Sequence, residues 1–200
     1  MAWDTERTRQ LLLDAAVIEF AAHGPEGARI NRVAATAGVN KERIYQYFGS
    51  KQKLFVAVLE AELAKLAEAV PLTPTQAMDL GDYAGQVYDY HLSYPHLLRL
   101  MSWEALQDPG TEIVAESERA AHYADKVAAV SAAQKQGAVV VDPAAAYLFS
   151  AVMAITTWWF TSPQLVSMIM AGTPEDTPAN RRASLMQLVG RLVGASNTVR

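Results

Sequence analysis

Along most of the chain, apolar residues return every three or four positions, the spacing that lays them on one face of a helix. In residues 4–23, Leu12, Ala16 and Phe20 stand four apart with Leu13 and Val17 beside them. Asp4 or Thr5 caps the start, and Gly24-Pro25 marks the stop, because proline disfavours helix at the residue before it. Residues 30–37 put Ile30, Val33, Ala34 and Ala37 on one face, and Gly38 supplies the positive φ of a tight turn. Asn40 caps a third helix, Lys41 to Phe48, in which Ile44 and Phe48 face inward. A fourth helix opens at Ser50-Lys51, runs through Leu54, Val58, Ala61, Leu63 and Leu66 to Ala69, and ends before Pro71.

The pattern continues in the remaining three-quarters. Residues 76–93 form a helix carrying Tyr83, Val87 and Tyr90, and Pro95 opens the next, largely buried one through Leu97, Leu98, Leu100, Met101, Trp103 and Leu106. Asp108-Pro109-Gly110 is a turn. Helix seven spans 112–136, with an exposed acidic start (Glu112, Glu116, Glu118) and a basic end (Lys126, Lys135) that suits its dipole. Residues 143–174 contain no charge. Thr156, Thr157, Ser162, Pro163 and Gln164 interrupt that run and its flanks are acidic, so it is not a membrane span. It predicts a helix from Ala144 to Phe160, apolar all round and buried on every side, with a partner subunit covering one of them, and a short helix from Ser162-Pro163. The last helix, 179–195, aligns Leu185, Leu188, Val189, Leu192 and Val193 opposite Arg181, Arg182 and Arg191.

The fold class is therefore all-α: a three-helix head, a linking helix and a helical bundle. Helix, tight turn and helix with a polar outer face is the geometry of a helix-turn-helix, whose second helix lies in the major groove of DNA. The outward groups are Lys41, Arg43, Gln46 and Tyr47, with Tyr45 at an edge. A net charge of −4 argues against nucleic acid until it is divided: residues 1–53 carry +2 and residues 54–200 carry −6. The boundary between a DNA-binding domain, 1–53, and a ligand-binding and dimerisation domain, 54–200, is placed there. The chain has no cysteine, hence no disulfide framework or thiolate metal site, and its first residues lack the apolar core of a signal peptide; a cytoplasmic location is expected.

Several residues in register then resemble the TetR family of bacterial regulators: Ala15-Ala16, Phe20, Gly24, Val33-Ala34, Ala37-Gly38-Val39, Ile44-Tyr45-Gln46-Tyr47-Phe48, Ser50-Lys51 and Leu54-Phe55. The run covers about fifty residues, a quarter of the chain. The resemblance implies a homodimeric, ligand-responsive regulator, a repressor on a near-palindromic double-stranded operator. The residues assigned to DNA are Arg29, Asn40, Lys41, Arg43, Tyr45, Gln46, Tyr47 and Lys51. Two departures stand out. Ala28-Arg29 replaces the threonine frequent at the start of the second helix, so a local hydroxyl cap is missing, and Gln46 takes the place of a frequent histidine.

Nothing in the sequence makes an enzyme. His23, His91, His96 and His122 are not at metal-ligand spacing, and neither a nucleophile elbow nor a phosphate-cradling glycine loop is present. No metal or cofactor is expected. The body's aromatics are either plain core or the lining of a small-molecule pocket between bundle helices. On the second reading Tyr83, Tyr90, His91, Trp103, Glu104, Tyr123 and Trp158 bind an effector, and with Glu104 and Arg99 the sole embedded charges, that effector is apolar or aromatic. Dimerisation is assigned to Leu148, Val152, Ile155, Leu185, Leu188, Val189 and Leu192. The competing reading is an all-helical carrier or enzyme with a vestigial DNA-binding head.

Overall fold

The computed structural model describes residues 2–107, 110 and 113–194, with side chains from Thr5 onward. The Asp108-Pro109 part of the expected turn, Glu112 and residue 195 lie outside them. Among the described residues ten α-helices follow one another: α1 Ala2–Gly27, α2 Ile30–Ala37, α3 Lys41–Phe48, α4 Lys51–Ala69, α5 Leu80–Ser93, α6 His96–Ala105, α7 Glu116–Lys135, α8 Ala145–Thr161, α9 Pro163–Ile169 and α10 Pro178–Val193. A 3-10 turn, Gln76–Met78, precedes α5. The helix expected from residue 76 therefore starts at Leu80, because Asp79 breaks the helical backbone and caps α5 by accepting the Asp82 N–H at 2.9 Å. Gly24 interrupts α1 with φ 67° and ψ 174°, so the predicted stop is a kink within a continuing element.

The described chain divides into two units, residues 1–65 with 95–115 and residues 66–94 with 116–200. In the first, α1 packs against α2 and α6, and α2 against α3. Leu12, Ala16, Phe20, Val33, Ile44, Leu54, Phe55, Leu97 and Leu100 are buried, and Phe20 meets Phe55 edge to face at 5.3 Å. The indole of Trp103 covers Gly24, and its Nε1 donates to the Ala21 carbonyl at 3.4 Å. A Cβ at Gly24 would lie 2.8 Å from that ring in a backbone conformation that L side chains rarely adopt.

In the second unit α5 is the central element, packed on α8 and α10, while α7 packs on α8 and on the 3-10 turn. Tyr83, Ala84, Val87 and Tyr88 of α5 face a core shared with Leu148, Phe149 and Val152 of α8 and Leu185, Val189 and Val193 of α10. Helix α8 is not covered on every side within the chain: Tyr147 is 74% exposed and Ile155 36%. Among the described residues, no helix is long and apolar enough to cross a membrane.

The α5–α10 contact is close because α5 lacks side chains where they meet. A Cβ at Gly81 would come within 2.9 Å of the Met186 backbone carbonyl, which cannot rotate away. Gly81→Ala is expected to destabilise the protein by ~1–3 kcal/mol, the usual cost of overpacking. Chemical denaturation of the variant against the parent chain measures this.

Candidate functional site

The turn between α2 and α3 is built from backbone geometry. Gly38 ends α2 in the left-handed region at φ 65°, and Val39 N–H reaches the Ala34 carbonyl at 3.0 Å. The Asn40 side chain then accepts the Glu42 N–H at 3.4 Å and starts α3. Ile44 and Phe48 turn inward, leaving Lys41, Glu42, Arg43, Tyr45 and Gln46 exposed and Tyr47 half-buried. Tyr45 shows 51% of its surface. Beside this helix a cleft of about 390 Å³ runs between the start of α1 and the α2–α3 turn, lined by Thr5, Thr8, Val39, Asn40, Arg43 and Tyr47.

What holds α2 in place is Glu19. Its carboxylate accepts the Arg29 backbone N–H at 2.7 Å and both Nε and Nη2 of Arg32, the latter at 2.6 Å. Arg29 is the N-cap residue of α2 and makes no side-chain cap of its own. A carboxylate from α1 thus takes the N–H of the cap residue itself, a different donor from the second or third helical N–H that a local hydroxyl would accept. Burial pushes the Glu19 pKa up, but the Arg32 and Arg29 hydrogen bonds outweigh it and hold the carboxyl below its usual range. The Arg29 side chain remains exposed. At the start of α4, Ser50 Oγ accepts the Lys53 N–H at 3.1 Å, and Lys51 Nζ donates to the Glu26 carbonyl at 3.0 Å. Lys51 is therefore tied to the end of α1 while two of its N–H groups remain for other partners.

A second buried carboxylate, Glu62, joins α4 to α6. It is 2% exposed and is met at 2.6 Å by both His96 Nε2 and Lys65 Nζ. Burial works to raise its pKa, and the two hydrogen bonds bring it below the usual value. Glu62–Lys65, three apart on α4, is a pairing that helical periodicity shows, whereas Glu19–Arg32 and Glu62–His96 cross between elements and are not visible in it.

The expected effector residues separate. Trp103 and Glu104 belong to the first unit and have local roles, Trp103 over Gly24 and Glu104 accepting the Val114 N–H at 2.9 Å. Tyr83, Tyr90, His91, Tyr123 and Trp158 belong to the second. There α5 and α8 form an aromatic cluster: Phe160 lies 5.0 Å from Tyr88 and 5.8 Å from His91, and Tyr83 lies 6.5 Å from Phe149. His91 is 1% exposed, its Nδ1 has no partner, and burial pushes its pKa down to about 4. Tyr123 is 39% exposed and Trp158 half-buried.

The residue that sequence reasoning missed is Lys126. The sequence places it in the basic end of helix seven, and the structure buries it to 6% exposure in the interior. Its Nζ donates to Tyr83 Oη at 3.0 Å and to the Val70 carbonyl at 3.3 Å, and it lies 5.5 Å from the centre of the Tyr83 ring. The sequence holds one hint: Lys126, Ala129, Val130 and Ala133 fall on one face of α7.

The assigned dimerisation residues divide too. Leu148, Val152, Leu185 and Val189 are at most 2% exposed in the single chain, so they form its core and present no surface to a second copy. Ile155, Leu188 and Leu192 are open, the last two by 54% and 45%.

Known proteins align with both units. A family model described as bacterial regulatory proteins of the tetR family matches residues 12–58, and one described as the tetracyclin repressor-like C-terminal domain matches residues 79–191. The HTH-type transcriptional repressor SCO4008 of Streptomyces coelicolor is 38% identical over 192 residues, covering 96% of this chain and 98% of that protein. The HTH-type transcriptional repressor NicS of Pseudomonas putida is 35% identical over 111 residues, about half of each chain. Among solved structures, SCO4942 of Streptomyces coelicolor superposes with a TM-score of 0.82 at 32% identity, covering 94% of this chain and 99% of that one.

Burial pushes the Lys126 ammonium down to about 8 from its usual 10.5. Between those values the unfolded chain holds a proton that the folded chain has released, so the Lys126 contribution to stability rises with pH; the penalty is fully present below about pH 8. The melting temperature of the parent chain relative to that of Lys126→Met is expected to rise from pH 7.5 to 9.5. A difference that stays flat across this range would show that the amine is not desolvated.

Proposed function

This chain belongs to the TetR family of DNA-binding transcriptional regulators, and from that premise we propose which of its surfaces reads DNA, which pairs two copies and which senses a ligand. The protein is a sequence-specific, DNA-binding transcriptional repressor, and its relatives are regulators of transcription rather than enzymes. The observation that carries the DNA assignment is the outward face of α3, where Lys41, Arg43, Tyr45 and Gln46 are all exposed beside a buried Ile44. Arg43, Gln46 and Lys41 read base edges in the major groove. Tyr45, Tyr47, Lys51 and Arg29 hold the phosphate backbone, and Asn40 fixes the start of the reading helix. On this division residues 1–53 form the DNA-binding domain and residues 54–200 the ligand-binding and dimerisation domain.

Two copies pair through the open apolar faces of α8 and α10, around Ile155, Leu188 and Leu192, which supports a homodimer on a near-palindromic operator. The effector enters the aromatic interior of the second unit near Tyr83, Tyr90, His91, Tyr123 and Trp158. Its binding favours a separation of the two heads that no longer fits successive grooves, and DNA is released by its differential affinity for the two states. Such a protein acts in the cytoplasm, where its operator is.

Gel shifts with DNA from the flank of the protein's own gene test the groove assignment. Arg43→Ala is expected to cost ~1–3 kcal/mol and relax sequence preference, whereas Lys51→Ala weakens binding evenly across sequences and lowers the salt slope by about one. If both variants bind as the parent does, the assignment of α3 is wrong. Sedimentation velocity tests the pairing: Leu188→Glu, at a position 54% exposed in the protomer, is expected to turn a dimer into a folded monomer. A dimer that persists removes this face from the interface.

A further inference from the structure

We infer that the effector carries an acidic group, a carboxylate, sulfonate or phenolate on an apolar or aromatic body, and that the Lys126 ammonium receives it. The inference rests on the ligand-sensing reading above and narrows it: the sequence, with Glu104 and Arg99 as the embedded charges, predicts an apolar or aromatic effector, and the buried Lys126 adds a charge to that site.

The argument begins with an unbalanced charge. An ammonium group has three donors and no acceptor. Lys126 is 6% exposed and spends its donors on two neutral oxygens, Tyr83 Oη at 3.0 Å and the Val70 carbonyl at 3.3 Å. Among the described residues no carboxylate is paired with it, and its third N–H has no acceptor. Buried charges in proteins are ordinarily paired, because an isolated ion in a low-dielectric interior is costly. Burial lowers the affinity of this amine for its proton, yet only to about 8, so it is mainly a cation at neutral pH. A buried, unneutralised cation is a place prepared for an anion.

The neighbours fit the same ligand. His122 lies one turn earlier on the same face of α7, and its Nε2 is buried without a partner. That nitrogen is a second polar contact left open beside the ammonium, whose charge also holds the imidazole's pKa down. The Tyr83 ring, 5.5 Å from Nζ, lies next to Phe149 and gives the apolar part of a ligand a surface to pack on. Tyr123, adjacent to His122 and 39% exposed, places an amphipathic side chain where this cluster meets solvent. Cation, orphan nitrogen, phenol and aromatic wall together are the few placed polar groups in an apolar site that small-molecule pockets use.

Two dyes with the same ring system separate charge from shape: 8-anilinonaphthalene-1-sulfonate, an anion, and N-phenyl-1-naphthylamine, its neutral counterpart. Fluorescence titration of the full-length protein at pH 7 is expected to give at least tenfold tighter binding of the sulfonate. In Lys126→Met, or in Lys126→Gln if the methionine variant fails to fold, the ratio of the two affinities falls at least tenfold. A ratio unchanged in the folded variant overturns the acidic-effector inference. The sensing reading survives that result if the neutral dye still releases operator DNA. Absence of saturable binding by either dye overturns the inference and the aromatic-ligand reading together.

Discussion

Glu19 stands ten residues before Arg29, the residue that begins α2, and 8% of its surface is exposed. The placement of α2 and of the turn that follows it depends on its two partners, Arg29 and Arg32. The Arg29 N–H bond fixes where α2 starts, and the fork of Arg32 fixes how α2 lies against α1. From there the chain has little freedom: Gly38 turns it, Asn40 restarts it, and α3 emerges with Ile44 buried against the core and Arg43 outside. A charge-assisted pair that also satisfies an orphan helix N–H contributes more than a surface ion pair, because the backbone donor would otherwise lose its partner. The placement of α2, and through the turn that of α3, rests on a carboxylate supplied by α1.

The second unit follows a different logic. Its packing is tight where α5 offers glycine to α10, at Gly81 against the Met186 backbone carbonyl and at Gly85 against the side chains of Met186 and Arg182. Around Lys126, His91 and His122 it is polar and incompletely satisfied. A core built for stability alone places aliphatic side chains at such positions, since an unsatisfied buried polar group costs ~1–3 kcal/mol. Close packing on one face of α5 and unsatisfied polarity around its other neighbours thus stand side by side within one bundle. The outer faces of α8 and α10 complete this arrangement. Ile155, Leu188 and Leu192 lie exposed directly behind buried Val152, Leu185 and Val189, so the core of one protomer backs the surface it presents.

The amino-acid sequence by itself determined the helices, because their apolar stripes and stops are local. Nearly all boundaries agree to within a few residues, and α5 differs only because Asp79 takes the cap. It also determined the head, whose turn depends on Gly38 and Asn40, residues close in sequence with backbone roles readable one at a time. Family membership followed from the same residues and made the chain a transcriptional regulator. Which apolar residues of α8 and α10 are core and which are surface was decided only by tertiary structure, because a stripe wide enough to serve both purposes has no internal mark dividing it. So was the place of Trp103, drawn to Gly24 by a missing Cβ far away in sequence. Tertiary structure alone also buried Lys126: the chemistry of a lysine says solvent, and only the convergence of Val70, Tyr83 and α7 puts its charge where water does not reach.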